Sequence, residues 1–153
     1  MKLERVKPTE DAVLEMVRNH YSHRSNVAAR PRTEKTSKTW WSNAKLLVFS
    51  DPGRTFVFAW QWPKVEFRAD KQSGFNNTMF HRSDRCVERA SDIILAAEQA
   101  VIAEWGPNRA YTYVDPEEVS ANPGYCYKMA GWEFVKIAGS GKHLLQKELC
   151  DDR

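Results

Sequence analysis

The hydrophobic pattern of this chain predicts an α+β (mixed α/β) domain in which a mixed twisted sheet is flanked by helices. Three observations carry that expectation. Apolar residues recur with a helical period in an N-terminal stretch and again in a long central one. Alternating or β-branched and aromatic runs fall around them and suit strands. A central strand–helix–strand unit over 75–82, 91–105 and 109–114 fits a right-handed crossover between parallel neighbours. At 153 residues and 17.7 kDa the chain fits one domain, 1–153, with little room for a second.

The elements follow in order. Pro8-Thr9-Glu10-Asp11 opens the first helix, with a proline and acids where a first turn favours them. Val13, Leu14, Met16, Val17 and His20-Tyr21 then supply its face. Residues 22–38 are polar and basic with Pro31 in the middle, and read as a long surface loop of the functional or mobile kind. Residues 44–50 and 55–60 form strands joined by the turn Asp51-Pro52-Gly53-Arg54, the clearest hairpin in the chain. A third strand is expected over 74–82, although Asn76-Asn77 is poor strand material.

The strongest helix runs from Ser91-Asp92 to about Trp105, with Ile93, Ile94, Ala97, Ala100, Val101 and Trp105 inward and Gly106-Pro107 as its stop. Residues 109–114 are a strand and 125–130 a short helix ended by Gly131. Residues 132–137 and 142–149 close the chain as a hairpin. Trp40-Trp41, Trp60, Trp62, Trp105 and Trp132 lie in or beside these apolar segments, where core packing is the default and base stacking the rival.

Composition excludes several classes. Hydrophobic residues at 42% and charged ones at 28% rule out a disordered tail. No apolar run approaches the roughly 18–20 residues of a bilayer span, and the first seven residues lack the apolar core of a secretory signal, so no membrane partner is expected. Three widely spaced cysteines form neither a disulfide scaffold nor a zinc ribbon and point to the reducing cytoplasm. The net charge of +3 permits an anionic partner without demanding one.

Four segments could carry chemistry. The loop before the central helix offers Arg82, Ser83, Arg85, Arg89 and Ser91 beside free helix N–H groups, which suits phosphates; a solvated loop is the equal rival. It contains no glycine, which excludes a P-loop or dinucleotide fingerprint. His20 and Tyr21, at the end of the first helix, can exchange protons or serve only as structure. Asp115 follows a strand's carboxyl end, where α/β sheets gather ligands, but Asp-Pro is equally a turn. Tyr127 projects from the short helix, with core packing as its plainer reading.

The stretch NPGYCYKMAGW, residues 122–132, resembles the late motif of GNAT-type acyltransferases: an Asn, a short helix bearing Tyr, then Lys-x-x-Gly-aromatic entering a strand. Tyr127, Lys128, Gly131 and Trp132 match its second half. The strand before it and the terminal hairpin after it keep the GNAT order. Phe80-His81-Arg82, the run 90–98 and Thr112-Tyr113-Val114 look like a GNAT-like group of phages and bacteria. His20-Tyr21-Ser22 is similar to the His-Tyr of Mom-type phage proteins, GNAT-fold relatives that modify adenine in DNA.

The resemblance implies a group-transfer enzyme in which Tyr127 protonates the leaving group, with His20, Tyr21 and Asp115 as further catalytic candidates. Arg82, Ser83, Arg85, Ser91 and Asn122 would face acetyl-CoA or another acyl donor. Arg24, Arg30, Arg32, Lys35 and Lys38 would meet a DNA backbone. A Mom-like enzyme also implies iron, for which His20, Tyr21, Asp115 and Tyr127 have suitable donors without a spacing that defines a site. Acetyl-CoA enzymes of this type normally carry a Gln/Arg-x-x-Gly-x-Gly/Ala turn. The glycine-free loop 82–91 departs from it, which favours a Mom-like or altered donor over ordinary acetyl-CoA. A nucleic-acid-binding or host-interaction protein that keeps the fold without acyl-CoA activity is the expectation from another class.

Overall fold

The computed structural model describes residues 1–20, 45–118 and 122–151. Its elements are β1 (Glu4–Arg5), α1 (Asp11–Asn19), β2 (Lys45–Ser50), β3 (Phe56–Trp62), β4 (Phe75–Arg82), α2 (Ala90–Trp105), β5 (Asn108–Val114), α3 (Tyr125–Met129), β6 (Glu133–Ile137) and β7 (His143–Leu149), with a 3₁₀ turn at Val65–Phe67. The strands form one seven-stranded mixed sheet in the order β1-β2-β3-β4-β5-β7-β6. The α+β expectation therefore holds. Two features lie outside it: β1, a two-residue strand pairing with Phe49 and Ser50, and the 3₁₀ turn. Both are too short to carry a period. Among the described residues no helix is long and apolar enough to cross a membrane.

β3 lies at the centre of the β1–β5 half and is apolar on both faces, which is why its sequence is a continuous apolar run. Phe56, Phe58 and Trp60 point to the α2 side, where they meet Ile93, Ile94, Ala97 and Val101. Val57 and Ala59 point the other way and pack with Met79 against Val13, Met16 and Val17 of α1. The Trp60 indole donates to the Ala97 carbonyl at 3.0 Å and stacks on Trp132, 6.2 Å between ring centroids. For Trp60 and Trp132 core packing is thus the outcome; Trp40 and Trp41 lie outside the described residues. α2 stops at Gly106, whose positive φ of 84° carries the chain into Pro107 and β5.

β4 and β5 run parallel across the α2 crossover, as expected, but over a short register. Pairing over 78–82 and 110–114 does not occur. The two strands bond only at Phe75↔Ala110 and Asn76↔Tyr111, and the Thr112 hydroxyl then donates to the Asn77 carbonyl at 2.9 Å. Beyond that point they diverge. Gly74 sets the close end of this wedge: its φ is 109°, and a Cβ there would overlap the Arg109 carbonyl. β4 also carries a bulge. Ala59 pairs with Met79 and Trp60 with Asn77, leaving Thr78 as the extra residue. The bulge turns both Asn77 and Phe80 to the α2 side and leaves Met79 and His81 on the α1 side.

Candidate active site at the split of the sheet

Where β4 and β5 separate, a cavity of about 590 Å³ opens between them. β4 contributes Asn76 to Phe80 and Arg82, β5 contributes Thr112, Tyr113 and Val114, and the α3 region contributes Asn122, Gly124, Tyr125, Cys126 and Tyr127. His20 enters from the C-terminus of α1, Ala90 from the start of α2, and Lys142 from the β6–β7 turn. The carboxyl ends of diverging parallel strands are where sheets of this kind hold ligands, because no side chain from a neighbouring strand closes the gap.

Tyr127 is placed by local geometry. Gly124 takes φ 76° at the start of α3, and a Cβ there would overlap Leu145, so the tight turn into the helix requires glycine. One turn later the Tyr127 ring packs edge-on against Trp132, 5.1 Å between centroids, and against Phe80 at 6.4 Å. Its hydroxyl donates to Asn77 Oδ1 at the cavity wall. The ring is 7% exposed, so it is packed as a core residue while its edge meets the cleft.

Of the other residues singled out in the sequence, His20, Arg82 and Asn122 also line this cavity. His20 caps α1, is buried, and sets its ring edge-on to His81 at 6.2 Å. Arg82 is exposed and donates to the Glu88 carbonyl at 3.0 Å. The Asn122 amide oxygen accepts from Lys128 at 2.9 Å. Asp115 is not among the lining residues; its carboxylate accepts the Glu117 backbone N–H at 3.0 Å, the turn role of an Asp-Pro pair. Arg85 points its guanidinium at the Gly53 and Arg54 carbonyls, 3.4 and 3.3 Å away, on the β2–β3 turn. Ser83 and Ser91 stand outside the lining, and the Ser83 hydroxyl is buried without a hydrogen-bond partner. Tyr21 and the five cations Arg24, Arg30, Arg32, Lys35 and Lys38 lie outside the described residues.

Two titratable groups of the cavity, Cys126 and Tyr113, are shifted toward their neutral forms. Burial pushes the Cys126 thiol up, so it is a thiol and not a nucleophilic thiolate near neutral pH. Tyr113 is pushed up to about 12, first by burial and then by its hydroxyl donating to Asp70 at 2.6 Å. Asp70 is bound in turn by Arg68. Among the described residues no three His, Cys, Asp or Glu side chains come together as a metal-ligating group.

Asn77 is the residue the sequence reading missed. It was legible only as an anomaly, a poor strand former inside an apolar strand. Its amide nitrogen donates to the carbonyls of Ala59 and Met79, at 2.9 and 3.0 Å, so it fastens the bulge. Lys142 carried no distinguishing pattern at all.

No protein-family model and no curated protein matches the sequence. Solved structures do. One is a provisionally named phosphinothricin N-acetyltransferase, 14% identical with a TM-score of 0.57, the match covering 98% of this chain and 99% of the other. A second is a provisionally assigned GNAT-family acetyltransferase from Bordetella pertussis, 15% identical with a TM-score of 0.58, covering 96% and 98%. At that identity the likeness concerns backbone architecture, and it runs the length of both chains. The seven-stranded sheet, split between its parallel strands and carrying Tyr127 at the opening, is therefore the fold of the GNAT-type acetyltransferases.

Proposed function

We propose that the protein is an acyl-CoA-dependent N-acyltransferase that moves an acetyl group to an amine in the cleft between β4 and β5. One observation carries the reading: the Tyr127 hydroxyl stands at the wall of a cavity formed where parallel strands part. At about 590 Å³ the cavity is of the size that takes a small molecule.

The residues present suit an acyl-CoA. The N-terminus of α2 has no side-chain cap, so its first N–H groups and dipole are available to an anion beside Ala90. Arg82 adds a positive charge at the rim. These groups would hold the phosphates in place of the glycine turn that the loop lacks. When bound, the thioester supplies an activated acyl group and a sulfur leaving group. Tyr127 Oη gives up a proton to that leaving group. His20, on the α1 side of the same cavity, takes the proton that the attacking amine loses. The two groups lie on opposite faces of the sheet and are joined through the split.

A DNA base as acceptor, the finer expectation from the Mom-like resemblance, draws no support from the described residues. Incubating the protein with acetyl-CoA and a panel of amines (amino acids, an arylamine, a polyamine, duplex DNA) and weighing the products by mass spectrometry tests the reading. An acetylated amine from the panel, formed by the wild type and not by Tyr127→Phe, is the expected result. Acetylation unaffected by Tyr127→Phe would remove the tyrosine from the chemistry. Tight DNA binding with no affinity for acetyl-CoA would replace the enzyme with a binding protein.

A further inference from the structure

We infer that Asn77 is the positioning residue for Tyr127: it fixes where the phenol oxygen sits and which way the hydroxyl proton points before catalysis. The inference rests on the proposed role of Tyr127 for its catalytic half, and on geometry alone for the rest.

The orientation of the Asn77 amide is forced. Its nitrogen lies within 2.9 Å of the Ala59 carbonyl and 3.0 Å of the Met79 carbonyl, two acceptors that only an NH₂ can satisfy. The amide oxygen must then face the other way, and there it receives the Tyr127 hydroxyl. Asn77 is 4% exposed, so water does not compete freely for these bonds. Two anchors, one on β3 and one on β4, thus act through Asn77 on one atom of α3, fifty residues away in the chain.

The bulge is part of the device. Were β4 to pair regularly with Thr78 opposite Trp60, Asn77 would fall in the same alternation as Met79 and point toward α1. The extra residue puts Asn77 and Phe80 together on the α2 side, where one holds the Tyr127 hydroxyl and the other its ring. The hydroxyl proton of the resting enzyme is committed to Asn77. Proton donation then requires the hydroxyl to exchange Asn77 for the leaving group. Asn77 sets the oxygen's position for that exchange without touching the substrate's reacting atoms.

The test reads the phenol directly. The tyrosine Raman doublet, taken as wild type minus Tyr127→Phe, isolates Tyr127 and distinguishes a phenol that donates one strong hydrogen bond from one in exchange with water. A strong-donor signature is expected for the wild type, and its loss in Asn77→Ala. A water-like signature in the wild type overturns the inference. Asn77→Ala also strips two bonds from the bulge; Asn77→Asp, the second variant, loses the same two NH₂ bonds. It keeps an acceptor for the phenol, and the donor signature should survive in it.

Kinetics then separate positioning from mere support. Asn77→Ala should lower kcat at least tenfold while KM for acetyl-CoA stays within twofold, because a reacting group displaced by a fraction of an ångström loses rate more than binding. Asn77→Asp should recover part of that loss. A full kcat with the donor signature gone overturns the positioning role. A wild type with the signature but no acyl transfer sinks the proposed function and the catalytic half of the inference, and leaves the fixed contact standing.

Discussion

Tyr127 is a single residue with two separable contributions, and each can be removed on its own scale. Tyr127→Phe keeps the ring against Phe80 and Trp132 and deletes only the hydroxyl. If the hydroxyl moves a proton, turnover should drop roughly 10²–10⁴-fold. Stability should fall by only about 1 kcal/mol for the bond lost at Asn77. Turnover and melting temperature measured on the same variant distinguish these outcomes. Asp70 makes a second residue-scale case. The Arg68 guanidinium, reinforced by the Tyr113 hydroxyl, holds its carboxyl well below the ordinary 3.8. A depressed carboxyl pKa stabilises the folded state above the ordinary value, and that contribution fades as pH falls below it. Asp70→Asn should therefore cost about 1–2 kcal/mol at neutral pH, and its deficit should shrink as the pH is lowered toward 3. Urea unfolding at pH 7 and pH 3 checks the sign. At this scale the sequence was partly legible: Tyr127 stood in a motif, whereas Asn77 and Asp70 acquire meaning only through partners far along the chain.

The elements are joined by an ion pair whose carboxylate is buried and whose cation is half-buried. Glu98 on α2 is bonded by Lys147 of β7 at 2.6 Å and by the Trp132 indole at 3.0 Å, and Lys147 also donates to the Ala130 carbonyl at 2.7 Å. Burial raises the Glu98 pKa despite these partners. Lys147→Met leaves the carboxylate buried without its cation, which should cost about 3–5 kcal/mol at pH 7. A raised carboxyl pKa means that stability is retained at low pH and lost as pH rises, so this variant should be less destabilised at pH 4 than at pH 7. The double variant Glu98→Leu/Lys147→Met should recover much of the loss in thermal unfolding. Gly74→Ala is the companion test for the sheet. With φ at 109° and the Arg109 carbonyl in the way, the substitution should strain the one junction where β4 meets β5, destabilising the protein by about 1–3 kcal/mol. Most element boundaries were readable, because a helical period persists through α1 and α2 and an unbroken apolar run marks β3. The short register of β4 on β5 was not, since strand divergence depends on what packs between the ends and leaves no local pattern.

The whole molecule is a sheet built to come apart in one place. β3 is packed on both faces, β5 and β7 pair over seven residues, and only the parallel β4–β5 seam is left open after two. That seam connects the α1 face, with His20, to the α3 face, with Tyr127, through a single cavity. The strand–helix–strand order made the crossover legible in advance. The opening itself follows from the Thr78 bulge, Gly74 and the aromatic clamp on Tyr127 acting together. In the proposed function this seam binds an acyl-CoA. The most direct measurement is a titration of the ¹⁵N-labelled protein with acetyl-CoA, followed by amide chemical shifts. Saturable shifts are expected at 76–80, 112–114 and 124–127 and in the first turn of α2, with β1 and the β2–β3 turn unmoved. An unchanged spectrum at millimolar acetyl-CoA, or shifts confined to surfaces away from the seam, would contradict it.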